Sequence, residues 1–363
     1  MEAVQYNSFV KNSVGFSGHP SSFYHGLMKG VVVFFLATTQ RRYTERSHSV
    51  LATSNRSGIA AIEVFVGGAC YGANATVYKL AYAGGFTWPQ VIGAQMWFAA
   101  AFFGIALIIL RLRGKKLVML DRKSFLKLIG LGAISCATAI FYCFAMSRLT
   151  VAVALTLLFQ FTWIGLVIQI IITRRPPKPQ EVIAAVIILL GTVLASNVYK
   201  SGFSNLDPLA IACALLAAVS CALFVTMSGR VMPPCSSAQR GFLVCIGSCV
   251  ASLLVCPDFL VSGVVFDGIA PYGVIIGFFG MLCPVLLFGL GSPHLPAGIS
   301  TVLASAELPA GLFCSALVLG DIISPVQWIG VVAILGGVAI SQLKVREVTA
   351  NVTQGCECDA GRG

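Results

Sequence analysis

Long apolar segments alternate with short polar connections over most of this chain. An apolar run of about 20 residues can cross a membrane as an α-helix, because a helix rises 1.5 Å per residue and the bilayer core is about 30 Å thick. The pattern predicts ten such helices, of which the seventh is short. They span approximately residues 59–82, 90–110, 125–146, 151–172, 182–198, 209–228, 241–256, 272–290, 298–319 and 325–343.

The second half of the chain repeats features of the first half. IILLGTVLAS at residues 187–196 resembles VAILGGVAIS at 332–341, and LTVAVALTLL at 149–158 resembles LPAGISTVLA at 295–304. The two spacings agree to within one residue. Each half contains five predicted helices, and an odd number per repeat inserts the two halves in opposite orientations. We therefore expect an all-α integral membrane protein made of two inverted five-helix repeats.

Composition supports a membrane protein and argues against a nucleic-acid-binding protein. The chain has 363 residues, of which 57% are hydrophobic and 10% are charged. Its mean hydropathy is +0.90, and soluble domains carry about 25% charged residues. The net charge of +11 could favour binding to a polyanion such as nucleic acid. The basic residues flank the apolar segments, however, and do not form a single patch.

The distribution of Lys and Arg predicts the orientation in the membrane. If the spans alternate in direction, the connections on one side contain only Lys79, Arg148 and Lys200. The other side contains Arg111, Arg113, Lys115, Lys116, Arg122, Lys123, Lys127, Arg174, Arg175, Lys178, Arg230, Arg240, Lys344, Arg346 and Arg362. Positively charged loops stay in the cytoplasm. We therefore expect both termini to be cytoplasmic, in a bacterial cytoplasmic membrane.

The two ends of the chain do not fit the pattern of spans. The apolar stretch at residues 30–37 is too short to cross a bilayer, and its basic residues follow it, unlike those of a signal peptide. We expect four parts: a disordered cytoplasmic extension at 1–57, repeats at 58–198 and 199–343, and a disordered tail at 344–363. A start upstream of the natural one is the alternative explanation for the extension.

One carboxylate lies inside a predicted span. Glu307 follows apolar residues in LASAELPAGLFCSALVLG. A charge near the bilayer centre costs about 3 kcal/mol on insertion scales, so it normally faces a protein interior or a wet cavity. Glu307 is therefore a candidate for binding a proton or a substrate. A purely structural carboxylate, held by neighbouring hydroxyls, is the alternative.

Polar and aromatic side chains in other spans provide further candidates for a binding pocket. Tyr71, Asn74 and Tyr78 recur every three or four residues, so they share one helical face. Such a face suits either a ligand or adhesion between helices. Weaker candidates on other helices are Gln95, Tyr142, Gln160 and Trp163. Trp163 could equally pack against lipid. Thirteen scattered cysteines and four isolated histidines indicate no metal site or cofactor.

The chain resembles the EamA-type transporters of the drug/metabolite transporter superfamily. The resemblance rests on the two five-helix halves, on Glu307 to Pro309, on Asp321 in GDIISP and on the closing QWIGVVAILGGVAIS. It implies a carrier for small metabolites, often amino acids or related compounds, that uses a gradient in place of ATP.

These observations together predict a secondary active exporter that works by alternating access. Its partners would be the lipid bilayer, a small-molecule substrate and protons as the coupling ion. Nucleic acid is not expected as a partner. The sequence does not decide between a monomer and a homodimer. A nucleotide-sugar or drug carrier of the same superfamily is one alternative. An intramembrane enzyme is another, but it would need paired ionisable groups that the spans lack. We therefore expect no enzymatic activity.

Overall fold

The computed structural model describes residues 53–114, 117–149, 151–174, 176–196, 207–320 and 323–340. Within these residues the secondary structure is all α, as predicted. Nearly all of the predicted extension, the predicted tail, Asp321 and Lys200 lie outside the described residues.

The helices follow the predicted order, with ends that differ from the prediction by a few residues. They are α1 (Thr53–Ala83), α2 (Trp88–Leu112), α3 (Arg122–Arg148), α4 (Val151–Leu158 and Phe161–Thr173), α5 (Pro179–Ser196), α6 (Pro208–Arg230), α7 (Ser237–Ser252), α8 (Val265–His294), α9 (Ala297–Ala304 and Glu307–Leu319) and α10 (Pro325–Ile340). Eight helices within the described residues are long and apolar enough to cross a membrane. Helices α7 and α10 are shorter than the other eight, so the total of ten membrane spans stays a prediction.

Polar residues in the connections begin several of these helices. The side chains of Asp121, Asp207 and Ser236 each accept a hydrogen bond from a backbone N–H in the first turn of the helix that follows. Each bond satisfies one of the N–H groups that a helix start leaves without a partner. The apolar pattern therefore determines where helices run, and these short polar side chains determine where they begin.

Small residues bring helices of the two halves into close contact. A β-carbon at Gly72 of α1 would overlap the backbone oxygen of Glu307 in α9, and one at Gly132 of α3 would overlap that of Val244 in α7. Close backbone approach through glycine is a common way to pack helices in membranes. The first and second halves are therefore interlocked around a shared interior.

The fourth helix of each half is broken at the corresponding place. In both α4 and α9, a piece of 8 residues is followed by two turn residues and a piece of 13 residues. The breaks fall at residues 159–160 and 305–306, directly after the duplicated ten-residue motifs. Sequence analysis predicts two uninterrupted helices here. Hydrophobicity does not reveal the breaks, because each lies within a segment that is apolar enough over its full length to read as one span.

Arg240 is not a loop residue, contrary to the prediction. It lies in the first turns of α7 and is 4% exposed. Its guanidinium donates hydrogen bonds to the backbone oxygens of Ser228 (2.8 Å), Val231 (3.2 Å) and Val285 (3.4 Å). The first two carbonyls lie at the end of α6, where the helix cannot supply its own donors. These acceptors explain why a cation is buried at this position.

Candidate functional site

A cavity lies between the two halves of the molecule. About 530 Å³ of this region is free of protein atoms, a figure that includes space open to solvent, whereas the interior space comparable with ordinary cavity volumes is about 40 Å³. The cavity is bordered by seven helices: α1, α2, α3 and α4 of the first half, and α6, α8 and α9 of the second. The lining residues are Tyr71, Asn74, Ala75, Tyr78, Gln95, Met96, Ser135, Thr138, Ala139, Tyr142, Leu158, Cys221, Gly280, Met281 and Glu307.

Six of the eight candidate residues from the sequence meet in this cavity. The shared face of α1 supplies Tyr71, Asn74 and Tyr78, while Gln95, Tyr142 and Glu307 come from three other helices. Gln160 and Trp163 do not line it. The indole Nε1 of Trp163 donates a 2.8 Å hydrogen bond to Gln160 Oε1, and Trp163 is 44% exposed on the outer surface of the bundle.

Glu307 begins the second piece of α9, immediately after the break. Its neighbours at 301–306 are all buried, whereas Glu307 is partly exposed and lines the cavity. Among the residues that the structure describes, no hydrogen bond or salt bridge joins its carboxylate to another side chain. The carboxylate is therefore available to a ligand or a proton.

Gln95 connects three helices beside the cavity. Its Oε1 accepts a 2.5 Å hydrogen bond from the hydroxyl of Tyr78 in α1, and its Nε2 donates a 3.0 Å hydrogen bond to the backbone oxygen of Gly280 in α8. Gly280 lies in a π-helical turn at residues 278–282, and such turns often occur at functional sites. Gln95 thus holds the wall of the cavity in place.

Two buried polar groups at the cavity have no hydrogen-bond partner within the described residues. They are Oδ1 of Asn74 and the hydroxyl of Tyr142, on side chains that are 4% and 7% exposed. Buried polar groups are nearly always hydrogen-bonded in folded proteins. Both side chains border the cavity, but the two atoms have almost no accessible surface, so a ligand would bond to them only if the side chains shift.

Sequence reasoning did not single out several residues of the lining. Met96, Cys221 and Met281 read as ordinary apolar residues within their helices, and Gly280 resembles any other glycine. The hydroxyl of Ser135 lies 3.5 Å from the sulfur of Met281, so first-half and second-half side chains touch here. A long-range contact of this kind leaves no local signal in a sequence.

A family model matches the chain in two segments, residues 56–197 and 208–342, and its description is EamA-like transporter family. These segments cover well over half of the chain. The chain belongs to the EamA-like transporter family. The resemblance predicted from the sequence is thereby confirmed, and the chain is a membrane transporter of the drug/metabolite transporter type.

The structural comparison agrees with this fold. A solved crystal structure that shares 17% sequence identity superimposes with a TM-score of 0.61, and the match covers 83% of this chain and 99% of the other. At this identity the match supports the fold alone. No curated protein matches the sequence.

In this EamA-like transporter, the two broken helices meet next to Glu307. The hydroxyls of Thr162 in α4 and Ser305 in α9 lie 3.2 Å apart and are hydrogen-bonded. A β-carbon at Gly165 would overlap the side chain of Thr301. The breaks of the two repeats are therefore in direct contact beside the cavity.

Polar contacts also join the repeats at the two ends of the helices. The amide oxygen of Gln169 in α4 accepts a hydrogen bond from the backbone N–H of Gly298 in α9, and its Nε2 donates at 3.0 Å to buried Glu181. Arg148 of α3 forms a 2.8 Å salt bridge with Asp207, which caps α6. Gln169 and Arg148 lie in the last turns of consecutive spans, so the two contacts are at opposite ends of the bundle.

Proposed function

We propose that this protein is a secondary active exporter of small metabolites, such as amino acids or related compounds, that works by alternating access and is coupled to protons. We further propose a bacterial cytoplasmic membrane with both termini inside. The observation that carries the proposal is the cavity between the two repeats, with Glu307 directly after a helix break. Inverted repeats that enclose a site near the midplane are typical of carriers that open alternately to each side.

The contacts between the repeats support alternating access. The Gln169–Gly298 contact would close the predicted cytoplasmic end, and the Arg148–Asp207 salt bridge would close the opposite end. Opening to one side would require the contact at that end to separate. The Thr162–Ser305 contact between the two breaks lies close to the cavity and could act as the pivot.

Glu307 would couple transport to a proton gradient. It is a carboxylate in a membrane interior, and such groups commonly relay protons or bind ions in transporters. When the cavity opens to the cytoplasm, the carboxylate would release its proton to water there as the substrate binds. When the cavity opens to the outside, the carboxylate would take up a proton from water there as the substrate leaves.

The deciding experiment is an export screen in cells that express the protein. Wild type, Glu307→Gln and Glu63→Gln would be challenged with toxic amino acids, their analogues, purines and cationic drugs, after matching their amounts in the membrane. Glu63 is the control because it is a carboxylate on α1 outside the cavity lining. We expect resistance to one chemical class, and its reduction by about tenfold or more in Glu307→Gln but not in Glu63→Gln.

Two other outcomes would change the proposal. Equal resistance in wild type and Glu307→Gln would leave an exporter in which Glu307 has a structural role. The absence of resistance to every compound would contradict export.

The drug-carrier alternative uses the same cavity, and the cationic drugs in the panel test it. A nucleotide-sugar carrier is less well supported, because a diphosphate needs basic partners and the described lining supplies none.

A further inference from the structure

The charge of the cavity indicates which end of a substrate it can hold. Of the lining residues, all of which lie in the described part of the chain, Glu307 alone has a carboxyl group, and none has a basic side chain. The others are tyrosines, amides, hydroxyls, thioethers, a thiol and apolar groups. An anionic group inside such a cavity would meet a carboxylate and no basic side chain, so electrostatic complementarity favours a positively charged substrate.

The hydrogen-bonding groups at the cavity are also those that a primary ammonium needs. An ammonium group has three donors and no acceptor. Three lining residues carry acceptors that lack a hydrogen-bond partner within the described residues: the carboxylate of Glu307, Oδ1 of Asn74 and the hydroxyl oxygen of Tyr142. The latter two atoms have almost no accessible surface, so an ammonium would reach them only after the side chains shift. By contrast, the Oε1 of Gln95 and the hydroxyl of Tyr78 already bond to each other.

The remaining lining suits the apolar body of such a molecule. Tyr71 contributes an aromatic ring, and Met96 and Met281 contribute flexible, polarizable thioethers. Aromatic faces attract organic cations, and methionine packs well against aromatic rings. The cavity therefore combines a site for a positive charge with a surface for a hydrophobic or aromatic group.

We propose that the substrate is a primary amine on an aromatic or apolar body, without a carboxylate. The inference rests on the proposed function, since it assigns the substrate class of the same cavity. It predicts that an amine is preferred to the amino acid of the same skeleton. The extra carboxylate of the amino acid would lie in a cavity with no basic partner, where an unpaired charge is costly.

Purified protein in lipid vesicles allows a direct test with compounds of one skeleton. Phenethylamine carries only the ammonium, phenylalanine carries both charges, and 3-phenylpropionate carries only the carboxylate. We expect phenethylamine to drive counterflow at a concentration at least about tenfold lower than phenylalanine, and 3-phenylpropionate to be inactive. Equal or better counterflow with phenylalanine would overturn the inference.

The variants separate a specific role in binding from general damage to the fold. Tyr142→Phe removes a hydroxyl from a lining residue of the cavity. Tyr82→Phe removes a buried hydroxyl that does not line the cavity and that also lacks a hydrogen-bond partner among the described residues. We expect a severalfold loss of phenethylamine counterflow only in Tyr142→Phe. Equal behaviour of the two variants would count against the assigned acceptor.

Failure of the inference differs from failure of the proposed function. If phenylalanine or another solute drives counterflow and the amine does not, the proposed substrate class is wrong, but the protein is still a carrier. No counterflow with any compound of the export panel contradicts both.

Discussion

At the residue scale, buried polar groups have different roles that depend on their partners. Arg240 and Glu181 are both buried and hydrogen-bonded to neighbouring groups, which marks them as structural. Glu307, Asn74 and Tyr142 are polar groups at the cavity that lack such partners within the described residues. A partner thus marks the structural groups, whereas a place in the cavity lining as well as the lack of a partner marks Glu307, Asn74 and Tyr142 as candidates for contact with a ligand.

Replacement of Arg240 should weaken the structure without altering the cavity. Arg240→Met leaves the carbonyls of Ser228 and Val231 without their donor, and each unsatisfied buried group costs about 1–3 kcal/mol. We expect a clearly lower thermal unfolding midpoint in detergent. Arg230→Met is the control, because Arg230 is exposed at the end of α6. A similar midpoint for both variants would contradict the structural role of Arg240.

At the element scale, the breaks in α4 and α9 and the contacts through small residues determine the site. The break places Glu307 in the first turn of a helix, and Gly72 lets α1 approach the backbone at that point. The residues of α1 that line the cavity are thereby held against α9. A change in the distance between α1 and α9 should therefore affect the cavity directly.

A larger side chain at Gly72 should separate these two helices. In Gly72→Val the side chain would overlap the backbone of α9, and overpacking typically costs about 1–3 kcal/mol. We expect a lower unfolding midpoint together with a loss of transport. Gly58→Val is the control, because a β-carbon at Gly58 meets no atom within 4 Å. Normal transport by Gly72→Val would show that the close approach is not needed.

At the scale of the whole molecule, the two repeats are joined at both ends and at the centre. The Arg148–Asp207 salt bridge lies at one end and is partly exposed, with side-chain exposures of 50% and 30%. The hydrogen bond from Arg148 holds the pKa of Asp207 below its usual range. The stabilisation that this pair provides is present above the usual pKa of an aspartate and is lost as pH falls through the lowered value.

The pH dependence of this salt bridge can be measured with Asp207→Asn. We expect wild type to be slightly more stable than the variant at neutral pH. The difference should begin to shrink as pH falls below about 4 and disappear once pH is below the lowered pKa of Asp207. The asparagine keeps a helix-capping oxygen, so the comparison isolates the charge. Unfolding midpoints measured over that pH range would test this. A difference that persists at low pH would assign the effect to something other than the ion pair.

The sequence alone determined the membrane class, the order of the helices and the duplication, because each depends on local hydrophobicity or on similarity between segments. The shared face of α1 and the intramembrane Glu307 were also visible, since helical periodicity and a charge in an apolar run are local properties. The roles of these residues in transport stay predictions.

Only the tertiary structure decided which polar residues share the cavity. Gln160 and Trp163 lie outside it, although their residue types match those inside, because the rotation of a helix depends on its neighbours. Arg240 is buried for the same reason: the carbonyls that accept its hydrogen bonds belong to α6 and α8. The helix breaks and the contact between Thr162 and Ser305 likewise arise from packing between segments far apart in the chain, which a local pattern of apolar and polar residues does not encode.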